Sequence, residues 1–182
     1  MSHPDADAPP ILQRLMLRAC RSAGRRMKMA DSLGTRLSGR DLLVRILVAR
    51  RVLERALAPD ERMVGVMLPP TAGAAIVNAA LALSGRVAVN LNYTASQPIL
   101  DLCIERAGLA HVISSPAFLD RVNLALGDRL LDAGALRTRA TLLDKSAAFL
   151  DATVTPLAWL ERRLRLDRIG PDDAITVNFT PG

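Results

Sequence analysis

Few side chains in this chain of 182 residues are of a type and spacing that chemistry could use. The two histidines, His3 and His111, and the two cysteines, Cys20 and Cys103, fall in no metal-ligand pattern, so neither a zinc site nor a disulfide framework is indicated and a reduced, cytoplasmic setting fits. His111 lies in a short apolar run that reads as a buried strand. With no carboxylate or serine partner evident in the sequence, it reads as a core or strand-end histidine rather than a catalytic one. The chain contains no Walker phosphate loop, no Gly-x-Gly-x-x-Gly fingerprint and no nucleophile elbow. Asn90, Asn92 and Thr94 remain, placed where a strand ends, which is where open α/β sheets bind ligands; turn-forming asparagines explain them equally well. No catalytic residue and no metal ligand is assigned on these grounds.

The elements that would position such residues centre on 63–93, MVGVMLPPTAGAAIVNAALALSGRVAVNLNY. An apolar run over 63–68 stopped by Pro69 and Pro70 reads as a buried strand. Thr71 can cap a helix over 74–84, rich in Ala and Leu, and Gly85 stands where a left-handed C-terminal residue is wanted. Residues 87–91 return to strand character. Strand, helix and strand within about thirty residues make a parallel βαβ unit. A bilayer-spanning helix, which needs about 20 apolar residues, is rejected because the two prolines leave too short a helix.

The flanking sequence repeats the pattern. Residues 1–10 read as a disordered lead-in, polar and proline-rich, without the basic start and apolar core of a signal peptide. Over 11–25, Arg14, Arg18, Arg21 and Arg25 share one helix face and Ile11, Leu12, Leu15, Met16 and Ala19 the other. This basic amphipathic helix either packs on its own domain, the reading preferred here, or makes weak peripheral contact with an anionic membrane at its inner, cytoplasmic face. A hairpin-like start is expected near 26–34, and Ser38 with Asp41 should cap a helix reaching about residue 57, with Arg50 and Glu54 paired on its outer side. Helices over 96–107, 116–126 and 156–166 then alternate with strands over 109–114, 138–143 and 174–180. The order between 127 and 139 is left open. Residues 26–182 therefore form an α/β domain with a mainly parallel sheet and covering helices.

Composition bounds the function. Half of the residues are hydrophobic and only five are aromatic, so the core is aliphatic and nucleic acid, whose bases need stacking partners, is not an expected ligand. The net charge of +6 comes entirely from residues 1–62, which hold 13 Lys and Arg against 7 Asp and Glu; the remainder is balanced at 11 against 11.

Four blocks, MADSLGTRLSGRDLL, MVGVMLPPTAGAAIVNAALALSGRVAVNLNYT, CIERAGLAHVISSPAFLD and DDAITVNFTPG, in this order and spacing, resemble the N-terminal part of the adenylate-forming, AMP-binding acyl-CoA and acyl-carrier-protein synthetase superfamily. Through LPP and VNLNYT the resemblance is strongest to the synthetase half of 2-acylglycerophosphoethanolamine acyltransferases. It runs from about residue 29 to 182. It implies an incomplete N-terminal subdomain of a ligase that uses ATP and Mg²⁺ to activate a fatty acid as acyl-adenylate, then passes it to a carrier-protein or CoA thiol. In this family a strand leads into a Thr/Ser/Gly-rich loop ending in Pro-Lys-Gly that wraps the ATP phosphates. Thr180 and Gly182 fall on the first and third places of that loop and are the implied cofactor-binding residues. Pro181 stands where the family has Ser, and so lacks both a hydroxyl and an N–H donor. The resemblance implies that the remaining chemistry lies beyond Gly182, and that residues 1–182 alone bind no cofactor and are inactive. A non-catalytic interaction or regulatory module derived from the same scaffold is the alternative.

Overall fold

The structure, a computed structural model, describes residues 10–179. Helix α1, Leu12–Ala23, ends where Gly24 adopts φ 53°, a left-handed value that a residue without Cβ takes without strain. Strands β1 (Met27–Ala30) and β2 (Arg36–Ser38) form the expected hairpin. Asp31 shapes its turn, accepting from the Leu33 and Thr35 amides at 3.1 and 2.9 Å. Ser38 then caps α2 (Gly39–Ala56): its hydroxyl oxygen accepts from the Asp41 amide at 3.1 Å.

The central unit forms as its prolines and glycines dictate. Strand β3 (Met63–Val66) stops short of Pro69 and Pro70, Thr71 caps α3 (Ala72–Leu83), and Gly85 at φ 69° turns the chain into β4 (Val87–Asn90), parallel to β3. Helix α4 (Gln97–Arg106), β5 (Val112–Ser114), α5 (Pro116–Val122) and β6 (Leu130–Asp132) follow, then α6 (Ala133–Thr138), α7 (Leu142–Thr153), α8 (Leu157–Arg163) and β7 (Thr176–Asn178). The second sheet has the order β6-β5-β3-β4-β7, and every neighbouring pair is parallel.

Two apolar layers cover this sheet. On one face Val64, Val66, Ala88 and Ile113 pack with Leu17 and Cys20 of α1, Leu43, Ile46 and Leu47 of α2, and Ala80, Leu81 and Leu83 of α3. On the other, Val89 and Val112 pack with Leu100 and Ile104 of α4 and Phe118 and Leu119 of α5. Helices α3 and α4 thus lie on opposite faces. Right-handed crossovers require this when the chain runs from β3 outward to β4 and then back across β3 to β5.

Three expectations are corrected, and the stretch left open is filled. The strand expected over 138–143 does not exist: those residues end α6 and open α7, because Thr141 and Asp144 close a capping box in which each side chain binds the other's amide. The sixth strand is Leu130–Asp132, in the stretch left open. On α1 the buried residues are Gln13, Leu17 and Cys20, with Ile11 at the cap, whereas Leu12 and Leu15 are exposed. The rotation follows from the arginines: Arg21 donates to the carbonyls of Asp151, Thr153 and Thr155 around the end of α7, and Arg14 pairs with Glu161 of α8 at 3.3 Å. Arg50 does pair with Glu54 at 2.6 Å, but not on an outer face: its side chain is largely buried, and its Nε donates to the Leu83 carbonyl at the end of α3.

Candidate functional site at the carboxyl edge of the sheet

In a doubly wound sheet the ligand crevice opens at the carboxyl ends of the strands, where successive connections leave in opposite directions. The order β4-β3-β5 with α3 and α5 on opposite faces puts that switch between β3 and β5. The floor there is closed. Ser114, fully buried at the end of β5, donates its hydroxyl to the Met67 carbonyl just after β3 at 2.6 Å, and Ser115 caps α5 by accepting from the Phe118 amide at 3.3 Å. Tyr93, in the loop after β4, and Phe118 of α5 meet edge to face, centroids 5.4 Å apart.

The strand-end asparagines divide. Asn90, at the end of β4, donates from Nδ2 to Asn78 Oδ1 of α3 at 3.1 Å and to Thr176 Oγ1 of β7 at 2.9 Å. Thr176 in turn donates to the Ala88 carbonyl at 3.0 Å, and Asn78 donates to the Ala74 carbonyl at 3.0 Å. These bonds stay within the fold, and the network helps hold β7 alongside β4 in the register Asn90↔Asn178. Asn92 makes a local turn, its Oδ1 accepting from the Thr94 amide and hydroxyl at 2.9 and 2.8 Å. Strand β7 ends at Asn178, and Thr180 and Gly182 lie outside the described residues.

Two features were not foreseen. Asp31 reaches across from the hairpin to accept from the Ala72 amide at 3.0 Å, and with Thr71, which accepts from the Ala74 amide at 3.5 Å, occupies the α3 N-terminus. The Ala72 amide foremost, with the Thr35 amide next, holds the Asp31 carboxyl below its usual range. That helix end is therefore already filled by a carboxylate. The only advance signal was an aspartate opening a turn. The second is a partner for His111: its Nδ1 lies 2.9 and 3.0 Å from the two carboxylate oxygens of Glu61, a buried side chain. The absence of a carboxylate partner read from the sequence is thus corrected, since folding brings together residues 50 positions apart. The pair ties the entrances of β3 and β5 at the amino edge of the sheet, opposite the ligand crevice, which is a structural station.

Among the described residues, no cluster of three or more His, Cys, Asp or Glu could hold a metal, and no helix is long and apolar enough to cross a membrane. Cys20 is buried and its thiol is pushed up by that burial; Cys103 is also free.

No protein-family model matches the chain. Solved structures do share its fold. The N-terminal subdomain of NpsA from Klebsiella oxytoca, in complex with 3-hydroxybenzoyl-AMSN, superposes with TM-score 0.65 at 15% identity, over 78% of this chain and 35% of that one. VinN in complex with L-aspartate gives TM-score 0.69 at 18% identity, over 94% of this chain and 44% of VinN. NpsA-ThdA, an artificially fused Adenylation-PCP di-domain NRPS from Klebsiella oxytoca, gives 0.61 at 17% identity over 72% of this chain and 26% of that one. The chain spans less than half the length of each of these proteins. The likeness is one of architecture, and on it the chain has the α/β fold of the N-terminal subdomain of adenylation enzymes.

Proposed function

We propose that residues 1–182 are the N-terminal portion of an ATP-dependent acyl ligase. In the complete enzyme a fatty-acid carboxylate oxygen bonds to the α-phosphorus of ATP and pyrophosphate leaves, with Mg²⁺ offsetting the phosphate charge; a carrier-protein or CoA thiol then takes the acyl group and AMP leaves. The observation that supports this most is the placement of β7. The Asn90–Thr176 hydrogen bond helps hold that strand parallel to β4, so the last described residues reach the carboxyl edge of the sheet just before TPG, which in this reading begins the phosphate loop. Thr180 would offer a hydroxyl and Gly182 an amide to a phosphate, while Pro181 offers no N–H. The acyl-carrier-protein branch, with the synthetase half of 2-acylglycerophosphoethanolamine acyltransferases as its nearest type, is favoured by LPP and VNLNYT. The fused Adenylation-PCP neighbour supports a carrier protein as acceptor.

In this reading the protein works in the cytoplasm. Contact of residues 11–25 with the inner membrane face is weak at most, because Arg14 and Arg21 are engaged with α8 and α7. The alternative, a non-catalytic module on the same scaffold, is separated from the ligase by the reading frame. A continuation past codon 182 through a Thr/Ser/Gly-rich loop to Pro-Lys-Gly and a C-terminal lysine domain supports the ligase; a stop codon or an unrelated continuation supports the module.

A further inference from the structure

At the amino ends of β4 and β7, on the edge of the sheet opposite the carboxyl-end crevice, an open cleft of about 840 Å³ is lined by Arg50, Arg62, Arg86, Arg163, Arg165 and Arg168. Among the described residues only two carboxylates, Glu54 and Asp173, share it. Part of this charge is structural. Arg50 caps α3 through the Leu83 carbonyl and pairs with Glu54, Arg86 donates to the carbonyls of Ala58 and Glu61, and Arg163 pairs with Asp151 at 2.6 Å. Fold stability does not account for the rest. Arg62 is exposed and meets Asp173 only at 3.5 Å, and the guanidinium groups of Arg165 and Arg168 have no hydrogen-bond or ion-pair partner among the described residues.

Two independent features mark the cleft as built. Arg165 holds a left-handed backbone, φ 55° and ψ 36°, unusual for a residue with a Cβ. This buries Leu164 and Leu166 on either side and leaves the guanidinium at the cleft. Gln13 is 2% exposed and lines the same cleft; its Nε2 donates to the Ala82 carbonyl at 3.4 Å, but its Oε1 has no hydrogen-bond partner among the described residues. A buried acceptor without a donor is costly, and a ligand donor would satisfy it. The arginines crowd one another as well: Arg163 and Arg165 are among the charges that pull the Arg50 guanidinium down, after the larger effect of its burial.

From this we infer that the cleft binds a small polyol carrying two or more phosphate groups. The phosphates would be met by Arg62, Arg165 and Arg168, whose forked donors match phosphate oxygens, and a ligand hydroxyl would donate to Gln13 Oε1. The same phosphate chemistry occurs on phosphorylated lipid headgroups, but a recessed cleft favours a soluble ligand. The site needs no residue of the proposed phosphate loop, so the inference stands whether or not the chain belongs to a ligase.

The test is calorimetry on the 182-residue chain at physiological salt, with fructose 1,6-bisphosphate and inorganic pyrophosphate as probes, beside vesicles containing phosphorylated inositol headgroups. Each variant is checked for an unchanged circular dichroism spectrum and melting temperature. The sugar bisphosphate should bind at one site with a Kd below about 1 mM. The double substitution Arg165→Gln, Arg168→Gln should weaken both soluble probes by about tenfold or more. Gln13→Met should weaken the sugar bisphosphate but not pyrophosphate. Absence of binding by both soluble probes, insensitivity to the double substitution, equal effects of Gln13→Met on both probes, or binding to vesicles alone would each overturn the inference.

Discussion

Arg55 on α2 and Asp144 on α7, 89 residues apart in sequence, meet in a two-pronged ion pair, Nη1–Oδ1 2.9 Å and Nη2–Oδ2 2.7 Å. Asp144 is buried and also closes the capping box of α7 with Thr141, so one carboxylate both starts a helix and fastens it to its neighbour. The Arg55 guanidinium, followed by the amide and hydroxyl of Thr141, holds the Asp144 carboxyl well below its usual range despite the opposing effect of burial. Asp144→Ala is therefore expected to lower stability by about 1 to 3 kcal/mol, since it removes an N-cap partner and charge-assisted hydrogen bonds whose exposed arginine is partly screened by water. Urea denaturation at neutral pH measures it. A midpoint unchanged from wild type would contradict the assignment.

The same pair fixes a pH dependence. A carboxyl depressed in the folded state contributes stability above its unfolded value, about pH 4, and that stability is lost as pH falls further toward the folded value. Asp31, depressed by the Ala72 and Thr35 amides, acts in the same direction. Stability should hold from neutral pH to about pH 5 and fall below about pH 4, with a shallower fall in Asp144→Asn. Melting temperatures across that range decide it.

Helix α1 belongs to the shared core, and Gly39 is where this can be probed. A Cβ at residue 39 would lie 2.4 Å from the Cys20 carbonyl oxygen and 2.6 Å from the Ala23 Cβ. Replacing Gly by Ala within a helix ordinarily stabilises by up to about 1 kcal/mol. Here a backbone oxygen and a methyl must move, at a cost of about 1 to 3 kcal/mol, so Gly39→Ala should destabilise on balance. A stabilised variant would show that α1 does not pack on α2 as described.

Ala80 on α3 is fully buried against the sheet, whereas Ala79 is only partly so. Ala80→Leu should cost about 1 to 3 kcal/mol by overpacking, and Ala79→Leu less. Equal denaturation midpoints for the two variants would mean that the face of α3 is not fixed as the structure has it.

The legibility of the sequence followed the range of the forces involved. The unit β3-α3-β4 was readable because Pro69, Pro70, Thr71 and Gly85 act locally, and so was the Ser38–Asp41 cap. Residues 138–143 misled because Leu142 and Leu143 carry strand-like apolarity, and the decisive signal was the Thr141-x-x-Asp144 spacing. The face of α1 was misjudged because arginines were assigned to water, while Arg21 is taken up by carbonyls more than 100 residues away. Long-range pairs such as His111 with Glu61 and Asn90 with Thr176 leave no periodic trace. At the candidate site the strand ends could be located in advance, but not the network that locks them.

Fatty-acid-dependent exchange of labelled pyrophosphate into ATP tests the ligase assignment most directly, run on the 182-residue chain and on the full reading frame. Transition-state charge on the phosphates needs preorganised donors, and loss of even one costs about 10² to 10³ in rate. The account predicts no exchange from residues 1–182 and clear exchange from the full frame with medium- or long-chain fatty acids, strongly reduced by Thr180→Ala. Silence from a full frame that contains the complete phosphate loop, or Thr180-dependent exchange from the 182-residue chain itself, would contradict it.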